Sequence, residues 1–313
     1  MSKHLPIICI LGSTCTGKTE LAINLQKRFP IEIISVDSAM IYREMNIGTD
    51  KPSPEILDSI KHHLIDIRNP DENYNVADFC SNTIDLIGDI HKRKKIPLLA
   101  GGSLMYFHSL YNGLSFLPNK NISDRSLIDH LLKKYSLKDL HDCLNHIDDK
   151  SFKKIQTNDK QRIQRALEVY MTSGRSISSF FDDRSLPLES FKVMTIKIHS
   201  DDRSIIHEKI STRINHMFDE GLIEEADHII KKFNLHSNSQ SMKVIGYRQI
   251  MEYLADKMTL KELKSKCLYA TRQLAKRQIT WLKQFPCTHA IDILNNDPTI
   301  IYKLVDSHCN LGK

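Results

Sequence analysis

Eight residues close to the amino terminus restrict the fold of this chain more than any others. Gly12-Ser13-Thr14-Cys15-Thr16-Gly17-Lys18-Thr19 fits the pattern G-x-x-x-x-G-K-[ST] in full. The pattern follows an apolar run, Leu5–Leu11, and opens a helical pattern from Lys18 to Phe29. Backbone N–H groups of such a loop turn toward an anion, and the helix adds the positive end of its dipole. We therefore predict a loop that binds the phosphates of a diphosphate or nucleotide, with Lys18 on the phosphates and the Thr19 hydroxyl on Mg²⁺.

Apolar runs and helical patterns alternate over the first 118 residues. The runs Ile31–Val36 and Ile96–Ala100 flank a helical pattern over residues 75–94. Strands that alternate with helices are typical of a parallel sheet covered on both faces. The predicted fold class is therefore α/β, a P-loop NTPase-like parallel sheet with helices on both faces.

The alternation stops after Leu117-Pro118, and helical patterns such as Arg125–Tyr135 and Asp159–Thr172 follow. A strand pattern returns at Val193–His199. We predict an inserted all-helical domain over residues 119–190, between two parts of one catalytic core, 1–118 and 191–313. The core should end in a long basic helix from about residue 259 to residue 284, a strand near 289–293, and a loosely held tail after residue 297.

Composition excludes several classes of protein. Apolar residues make up 41% of the 313 residues and charged residues 26%, the balance of an ordinary globular protein. No uncharged apolar run approaches the roughly 18 residues of a membrane span, and the amino terminus lacks a signal-peptide pattern. The seven cysteines include no CxxC pair, which favours reduced thiols over disulfides or a zinc site. We expect a cytoplasmic protein without a membrane partner, and a monomer, since nothing demands an oligomer.

Asp37 is the carboxylate that stands out at a strand end. Many P-loop enzymes hold Mg²⁺ with an aspartate after a second strand, but Ile96–Ala100 is followed by Gly101-Gly102-Ser103. Asp37 follows Ile31–Val36, whose end should lie beside the P-loop. The residues alone leave three roles open for it: a metal ligand, a general base, or a helix cap.

Positive charge is concentrated near the carboxyl terminus, where residues 259–285 hold seven Lys or Arg against one acid. At about 100° per residue, Arg272, Lys276 and Lys283 lie within about 40° of one another on one helical face. A different face carries an apolar set that should be buried: Leu268, Ala275, Ile279 and Leu282. Such a helix suits a nucleic-acid backbone, although a solvated basic face is the usual explanation of a charge run.

Seven motifs in register resemble one known family, the tRNA dimethylallyltransferases. After the P-loop come DSAMIYREMNIGTDKP, HHLID, AGGSLMYFHSLYNGLSFLP, QRIQRALEVYMTSGRSIS, KVIGYRQ and TRQLAKRQITWLK, so the resemblance covers roughly residues 5–285. Two departures are small: Ser13 replaces the family's usual proline, and Ser103 replaces a threonine. The Cys/His zinc finger of the eukaryotic members is absent, which resembles the bacterial form.

The resemblance implies a transferase that moves a dimethylallyl group from its diphosphate to N6 of the adenosine immediately 3′ of the tRNA anticodon. It implies diphosphate binding by the P-loop with Mg²⁺, and Asp37 as general base. Thr14 and Ser103 match hydroxyl positions beside the reacting groups, and Arg213 matches an arginine that faces the diphosphate or the flipped base. An ion-paired surface arginine is the alternative interpretation of Arg213.

The resemblance also implies contacts with the tRNA anticodon stem-loop. The implied residues are Asp37, Ser38, Ala39, Met40, Ser103, Arg125, Gln161, Arg162, Ile163, Gln164, Arg165, Lys243, Val244, Ile245, Gly246, Tyr247, Arg248, Arg272, Lys276, Arg277, Gln278 and Lys283. The helical insertion would hold the anticodon stem from one side and the basic helix from the other. A base inside the crevice must be flipped out of its stack, which a loop allows at low cost.

Three other functions share parts of this pattern. A P-loop kinase for a small acceptor would turn over ATP without tRNA, and should lack the long basic helix. A relative that prenylates free adenine nucleotides would keep Asp37 and the P-loop but have no use for Arg162 or Arg165. A non-catalytic RNA-binding protein with a vestigial P-loop is disfavoured, because Lys18, Thr19 and Asp37 are all present.

Overall fold

The structure is a computed structural model that describes residues 5–113, 117–118, 122–181, 186–294 and 297–309. The chain divides into two compact units, the first formed by residues 1–111 and 188–313 and the second by residues 112–187. Leu188 is buried, and its burial marks the point where the chain returns to the core of the first unit.

A six-stranded sheet with every neighbouring pair parallel forms the centre of the first unit, in the order β3-β2-β4-β1-β5-β6. The strands are β1 (Pro6–Gly12), β2 (Ile31–Val36), β3 (His62–His63), β4 (Ile96–Gly101), β5 (Lys192–His199) and β6 (His289–Asp292). In the central strand, Ile10 lies level with Ala100 of β4 on one side and with Ile196 of β5 on the other. The predicted α/β class with a parallel sheet is confirmed.

Consecutive residues are buried in the central strands, as in Ile7–Leu11 and Ile31–Val36. Since consecutive side chains point to opposite faces, both faces of the sheet are covered, and the covering elements are helices. They are α1 (Lys18–Arg28), α2 (Pro54–Ser59), α3 (Val76–Lys92), α4 (Leu104–Asn112), α9 (Arg203–Asp219), α10 (Leu222–Lys232), α11 (Tyr247–Leu254), α12 (Leu260–Leu282) and α13 (Pro298–Cys309), with a short 3₁₀ turn at Ser241–Lys243. Asn75 caps α3, accepting hydrogen bonds from the N–H groups of Ala77 and Asp78.

The prediction for the last segment of this unit is wrong. The segment after Asp297 was expected to be loosely held, but it forms α13. Ile301 and Val305, one helical turn apart, pack into the same core as Ile8 and Ile196 of the sheet. The segment is short and follows the last recognisable motif, so its apolar spacing was too weak a signal to outweigh its terminal position.

The second unit consists of helices wherever the structure describes it. They are α5 (Ile122–Lys134), α6 (Leu137–Ile147), α7 (Asp149–Lys154), α8 (Lys160–Ser173) and a 3₁₀ turn, Ile177–Phe181. Asp159 caps α8 at its start, and Gly174 ends it with a φ of 67°, a left-handed conformation that suits glycine. Its core is apolar and independent of the sheet, with Ile128, Leu144 and Ile163 fully buried.

Candidate active site

A cavity of about 1150 Å³ opens where β1, β2 and β4 end. Its walls include the P-loop after β1, the segment Asp37–Met40 after β2, and the segment Gly101–Met105 after β4. Residues of α9, α12 and the turn before α11 complete it. Carboxyl ends of parallel strands meet at one edge of a sheet, which is why segments distant in sequence share this cavity.

The P-loop has the backbone that its glycines predict. Gly17 takes a φ of 82°, and a Cβ on Gly12 would lie 2.9 Å from the backbone oxygen of Ile198. The Lys18 ammonium donates to the Ser13 carbonyl at 2.5 Å, so it folds back over the loop. Burial lowers the pKa of Lys18 to about 8, against the opposing attraction of Asp37. A phosphate group in this loop would restore the favourable environment of the charged ammonium.

Asp37 ends β2 in a turn and leaves one oxygen free. Its Oδ1 accepts hydrogen bonds from the N–H groups of Ala39 at 2.8 Å and Met40 at 3.3 Å. The residues that follow form turns rather than a helix until α2, so the helix-cap alternative is replaced by a turn cap. Oδ2 has no hydrogen-bond partner among the residues described, and Asp37 lines the cavity. A carboxylate placed in this way can accept a proton from a group bound beside the P-loop.

Ser103 fixes the position of this segment from β4. Its Oγ accepts a hydrogen bond from the Ser38 N–H at 3.0 Å and lies 3.2 Å from the Ser38 hydroxyl. The approach of β4 to β2 requires glycine, since a Cβ on Gly101 would lie 2.0 Å from the Val36 carbonyl oxygen. Ser103 thus reaches Asp37 through the adjoining residue, and the structure brings together two of the residues singled out by the sequence.

Arg213 reaches the P-loop from α9. Its Nη1 donates to the Thr14 hydroxyl at 3.1 Å and lies 3.0 Å from Oδ2 of Asp50. The Arg213 side chain is 26% exposed, and Lys18, Thr14 and Asp37 line the same cavity. Both hypotheses about Arg213 therefore describe it in part: it is ion-paired, and it faces the phosphate loop.

Gln278 of α12 uses its side chain to hold the loops together. Its Oε1 accepts from the Thr14 N–H at 2.8 Å, and its Nε2 donates to the Gly102 carbonyl at 2.8 Å. The side chain is largely buried but still lines the cavity, so a direct tRNA contact by Gln278 stays a prediction. Its position links the P-loop to the segment that carries Ser103, across 264 residues of sequence.

Asp50 is a residue of this site that the sequence did not single out. It lies in the loop between β2 and α2, takes a left-handed φ of 56°, and lines the cavity beside Arg213. The Asp50 side chain is 55% exposed, so only partial desolvation by the cavity walls raises its pKa, and the positive charges of Arg213 and Lys18 oppose this effect. The available signal was an acidic residue within the motif DSAMIYREMNIGTDKP. The motif does not indicate that the loop brings this residue to the P-loop.

The cations predicted to bind tRNA divide into two groups in the first unit. Lys243, Arg248 and Arg277 are exposed, and each lines the cavity together with Val244, Ile245 and Gly246. Arg272, Lys276 and Lys283 do not line it. Lys276 and Lys283 are exposed, and the Arg272 Nε is buried without a hydrogen-bond partner. On α12, Arg277 rather than the predicted basic face points at the cavity.

Two details predicted for this region are wrong. Tyr247 was expected to contact tRNA, but it is fully buried and donates its hydroxyl hydrogen to Glu225 at 2.6 Å. The buried face of α12 is also rotated from the predicted one, since Leu268 and Ile279 are only half-buried. The residues buried on α12 are Leu263, Cys267, Thr271, Ala275, Gln278 and Leu282. Polar Thr271 and Gln278 disguised this face in the sequence, because each is buried with its hydrogen bonds satisfied within the protein.

The second unit exposes only part of its predicted tRNA-binding set. Arg125, Gln161 and Arg162 are exposed. Ile163 is fully buried in the helical core, so a tRNA contact by its side chain is excluded.

The next two predicted residues of α8 are also occupied within the unit. Gln164 is buried and donates to Asp129 at 3.0 Å. The Arg165 guanidinium donates to buried Glu168 at 2.9 Å and to the Pro118 carbonyl at 2.7 Å. Gln164 and Arg165 therefore stabilise this unit, whereas Gln161 and Arg162 are exposed, with Arg162 in a 3.3 Å ion pair with Asp159.

Among the helices described, none is long and apolar enough to cross a membrane.

Comparison with known proteins assigns the family. Residues 40–285 match the profile of the IPP transferase family. A tRNA dimethylallyltransferase of Burkholderia cenocepacia (strain HI2424) is 40% identical over 304 residues, 95% of this chain and 93% of the relative. One from Legionella pneumophila (strain Paris) is 42% identical over 279 residues, 89% of each chain.

Solved structures agree with this assignment. The tRNA isopentenylpyrophosphate transferase of Bacillus halodurans superposes with a TM-score of 0.71 at 30% identity, over 98% of this chain and 97% of the other. A eukaryotic dimethylallyltransferase acting on tRNA gives a TM-score of 0.78 at 25% identity, over 98% of this chain and 77% of the other. With its P-loop and carboxylate in one cavity, and with relatives matched along nearly its whole length, this chain belongs to the IPP transferase family, together with the tRNA dimethylallyltransferases.

Proposed function

We propose that this protein transfers a dimethylallyl group from dimethylallyl diphosphate to N6 of the adenosine immediately 3′ of the anticodon in tRNA. One observation supports the proposal above all: Lys18 and Asp37 line the same cavity. The first is the cation of a phosphate loop, and the second is a carboxylate with one oxygen free of hydrogen bonds. This pairing suits a reaction in which a diphosphate leaves and an amine loses a proton.

The bond changes follow from this arrangement. The C1–O bond of the donor breaks as a bond forms between C1 and the adenosine nitrogen. Negative charge develops on the departing diphosphate, where the P-loop N–H groups, Lys18 and Arg213 stabilise it. The attacking nitrogen becomes acidic as the new bond forms, and Oδ2 of Asp37 takes its proton.

The site also fits a magnesium ion. The Thr19 hydroxyl is at the start of α1, lines the cavity, and forms no hydrogen bond with the residues described. Hydroxyl and phosphate oxygens are ligands that Mg²⁺ prefers, so Thr19 and the diphosphate would hold it. When bound, the ion neutralises part of the diphosphate charge.

For tRNA, the exposed cations at the cavity provide the first contacts. Lys243, Arg248 and Arg277 would neutralise phosphates next to the flipped adenosine. Ser38 and Met40 line the cavity together with Asp37, which would accept the proton of the amine. Lys276 and Lys283 of α12, and Arg125 and Arg162 of the second unit, extend the set of exposed cations. We assign all of these to the anticodon stem-loop.

The decisive experiment supplies labelled dimethylallyl diphosphate, Mg²⁺ and tRNA, digests the RNA and identifies the labelled nucleoside. We expect label on N6 of the adenosine 3′ of the anticodon. A transcript that differs only by guanosine at this position is the matched control and should take no label. Label on AMP in preference to tRNA would indicate a free-nucleotide prenyltransferase, and ATP turnover without tRNA would indicate a kinase. Either result contradicts the proposal.

A further inference from the structure

Asp50 occupies the place of an anion at Arg213. Its Oδ2 lies 3.0 Å from the same Nη1 atom that donates to Thr14 of the P-loop at 3.1 Å. The guanidinium that would face a bound diphosphate is therefore paired with a carboxylate of the protein itself. Asp50 and Arg213 line the cavity together with Lys18.

The loop that carries Asp50 is firmly held, so the carboxylate is not a freely moving surface acid. Glu225 accepts hydrogen bonds from the N–H groups of Asn46 at 2.9 Å, Ile47 at 2.8 Å and Gly48 at 3.2 Å. The buried Tyr247 hydroxyl donates to the same Glu225 carboxylate. This anchoring explains what Tyr247 does in place of contacting RNA.

A second anchor lies directly after Asp50. Lys51 forms a 2.6 Å ion pair with Asp66, and the Lys51 side chain is only 3% exposed. Its ammonium also donates to the Tyr42 carbonyl at 2.8 Å. Both flanks hold the backbone at Asp50, and its side chain, 55% exposed, reaches Arg213 from there.

Two carboxylates lie close to the phosphate loop, since Asp37 and Asp50 line the same cavity as Lys18 and Arg213. A diphosphate brings several more negative charges and is repelled by both carboxylates. A diphosphate that bonds to Nη1 of Arg213 where Asp50 lies must displace that carboxylate.

We propose that Asp50 competes with diphosphate for Arg213, weakens its binding, and takes the guanidinium back when the product leaves. The inference rests on the proposed function, since it assumes that the P-loop holds a diphosphate. Asp50 thus acts through Arg213 and is a positioning residue. No covalent step is involved: one anion replaces another at Nη1, and the exchange reverses after transfer.

Calorimetric titration with inorganic diphosphate and Mg²⁺ tests this in the whole protein. Asp50→Asn is the informative variant, because asparagine tolerates the left-handed φ of 56° and keeps the side-chain shape. We expect it to bind diphosphate about threefold to tenfold more tightly, the scale of a partly exposed ion pair plus the repulsion removed. Asp50→Gly, which also adopts this φ, should act in the same direction.

Two controls separate competition from a general charge effect. Asp58→Asn removes one negative charge from the exposed surface of α2 and should leave affinity unchanged. In an Arg213→Gln background, Asp50→Asn should have little further effect, because the contested cation is gone. The proposal would be overturned if Asp50→Asn raised the diphosphate affinity by the same factor in both backgrounds. It would also be overturned if Asp50→Asn alone left that affinity unchanged or lowered it.

Turnover gives a second measurement that a merely structural role would not move in this way. Asp50→Asn should lose steady-state rate through slower diphosphate release, a step that a single-turnover measurement of transfer does not include. A lower single-turnover rate with unchanged steady-state release contradicts the inference. If the wild-type protein bound no diphosphate at all, the proposed function would fail with it; normal wild-type binding with no effect of Asp50→Asn rejects the inference alone.

Discussion

Strand β2 has a carboxylate near each end, and the two differ in almost every physical respect. Glu32, at its start, is only 1% exposed and accepts hydrogen bonds from Arg93 at 2.7 and 3.1 Å and from His63 at 2.7 Å. Lys95 lies 3.1 Å from it. Asp37, just past the other end, uses one oxygen for a turn and leaves the other facing a cavity.

The difference separates structural carboxylates from reactive ones. Burial alone would raise the pKa of Glu32, but the hydrogen bonds from Arg93, His63 and Lys95 outweigh it and lower that pKa to about 2. Every strong acceptor site on Glu32 is occupied, so it can take no part in proton transfer near neutral pH. Asp37 has an oxygen that accepts no hydrogen bond from the residues described and lines the cavity, so it can accept a proton from a bound group.

The largest effect should come from removing the base. Asp37→Asn keeps an oxygen that can accept from the Ala39 and Met40 N–H groups, so the turn should persist. We expect single-turnover transfer to fall by about 10²- to 10⁴-fold at saturating tRNA and donor, the usual contribution of a general base.

A Mg²⁺ series distinguishes the remaining roles of Asp37. If Asp37 were a metal ligand, raising the Mg²⁺ concentration would rescue the Asp37→Asn rate. If it only capped the turn, the rate would be near that of the wild type, since asparagine caps equally well. Either result would remove the distinction drawn between Asp37 and Glu32.

Lys18→Ala should have the next largest effect. Loss of one preorganised donor to the leaving group lowers the rate by about 10²- to 10³-fold. Binding of tRNA should stay close to wild type, because Lys18 faces the phosphate loop. Filter binding of tRNA and single-turnover transfer measure the two separately. Normal turnover in Lys18→Ala would contradict the assignment of the P-loop to the donor.

Lys18 also predicts how donor binding depends on pH. Its pKa is about 8 in the donor-free protein, and a nearby diphosphate must raise that pKa. Binding therefore takes up a proton, and diphosphate affinity should fall as pH rises above about 8. Calorimetry in buffers of different ionisation enthalpy detects the proton, and Lys18→Ala should abolish its uptake. A pH-independent affinity in the wild-type protein is the contrary result.

Glu32→Gln should change stability rather than chemistry. We expect the free energy of unfolding to fall by about 1.5–3 kcal/mol, the value of a hydrogen bond to a charged group, since Arg93 and Lys95 can return to water. The folded variant should transfer at the wild-type rate. A large loss of single-turnover rate in folded Glu32→Gln would erase the contrast with Asp37.

The pH dependence of this stabilisation has a definite sign. The pKa of Glu32 is lowered from 4.5 to about 2 in the folded protein. Its contribution is therefore complete above pH 4.5 and disappears as pH falls from there toward 2. Urea unfolding of wild type and Glu32→Gln should differ most near neutral pH and converge near pH 2.

Local patterns were enough to predict the sheet, the P-loop and Asp37. A glycine-rich loop between a strand and a helix, and a polar residue at a strand end, are features of neighbouring residues. The roles of Gln278, Tyr247 and Asp50 depend on contacts with residues far away in sequence, such as the bonds from Gln278 to Thr14 and Gly102. Sequence spacing does not encode such contacts, so two of these residues were assigned to RNA and the third was missed.

Cations follow the same division as the two carboxylates. Arg165 is held by Glu168 in the way that Arg93 is held by Glu32, and both are therefore assigned to structure. Lys276 is exposed and has no ion pair among the residues described. Arg272, on the same helix, is half-buried, and its buried Nε has no hydrogen-bond partner among those residues. We expect exposed cations without a protein partner to be the ones that bind tRNA phosphates.

The smallest effect we predict concerns Arg272 and Lys276 of α12. Binding of tRNA should weaken steeply with salt. The double variant Arg272→Ala with Lys276→Ala should reduce the slope of the logarithm of the binding constant against the logarithm of the salt concentration by roughly 0.7 to 0.9 for each lost phosphate contact. Filter binding between about 50 and 200 mM salt measures this slope. Lys27→Ala with Lys92→Ala is the matched control, because it removes the same charge from the last turns of α1 and α3. Both helices lead into the start of the next parallel strand, so their last turns lie at the edge of the sheet opposite the P-loop. The slope of the control variant should therefore stay near that of the wild type. Equal slopes in wild type and the α12 double variant would mean that this face contacts solvent, and that Arg277 and the other cations lining the cavity carry the electrostatic part of tRNA binding.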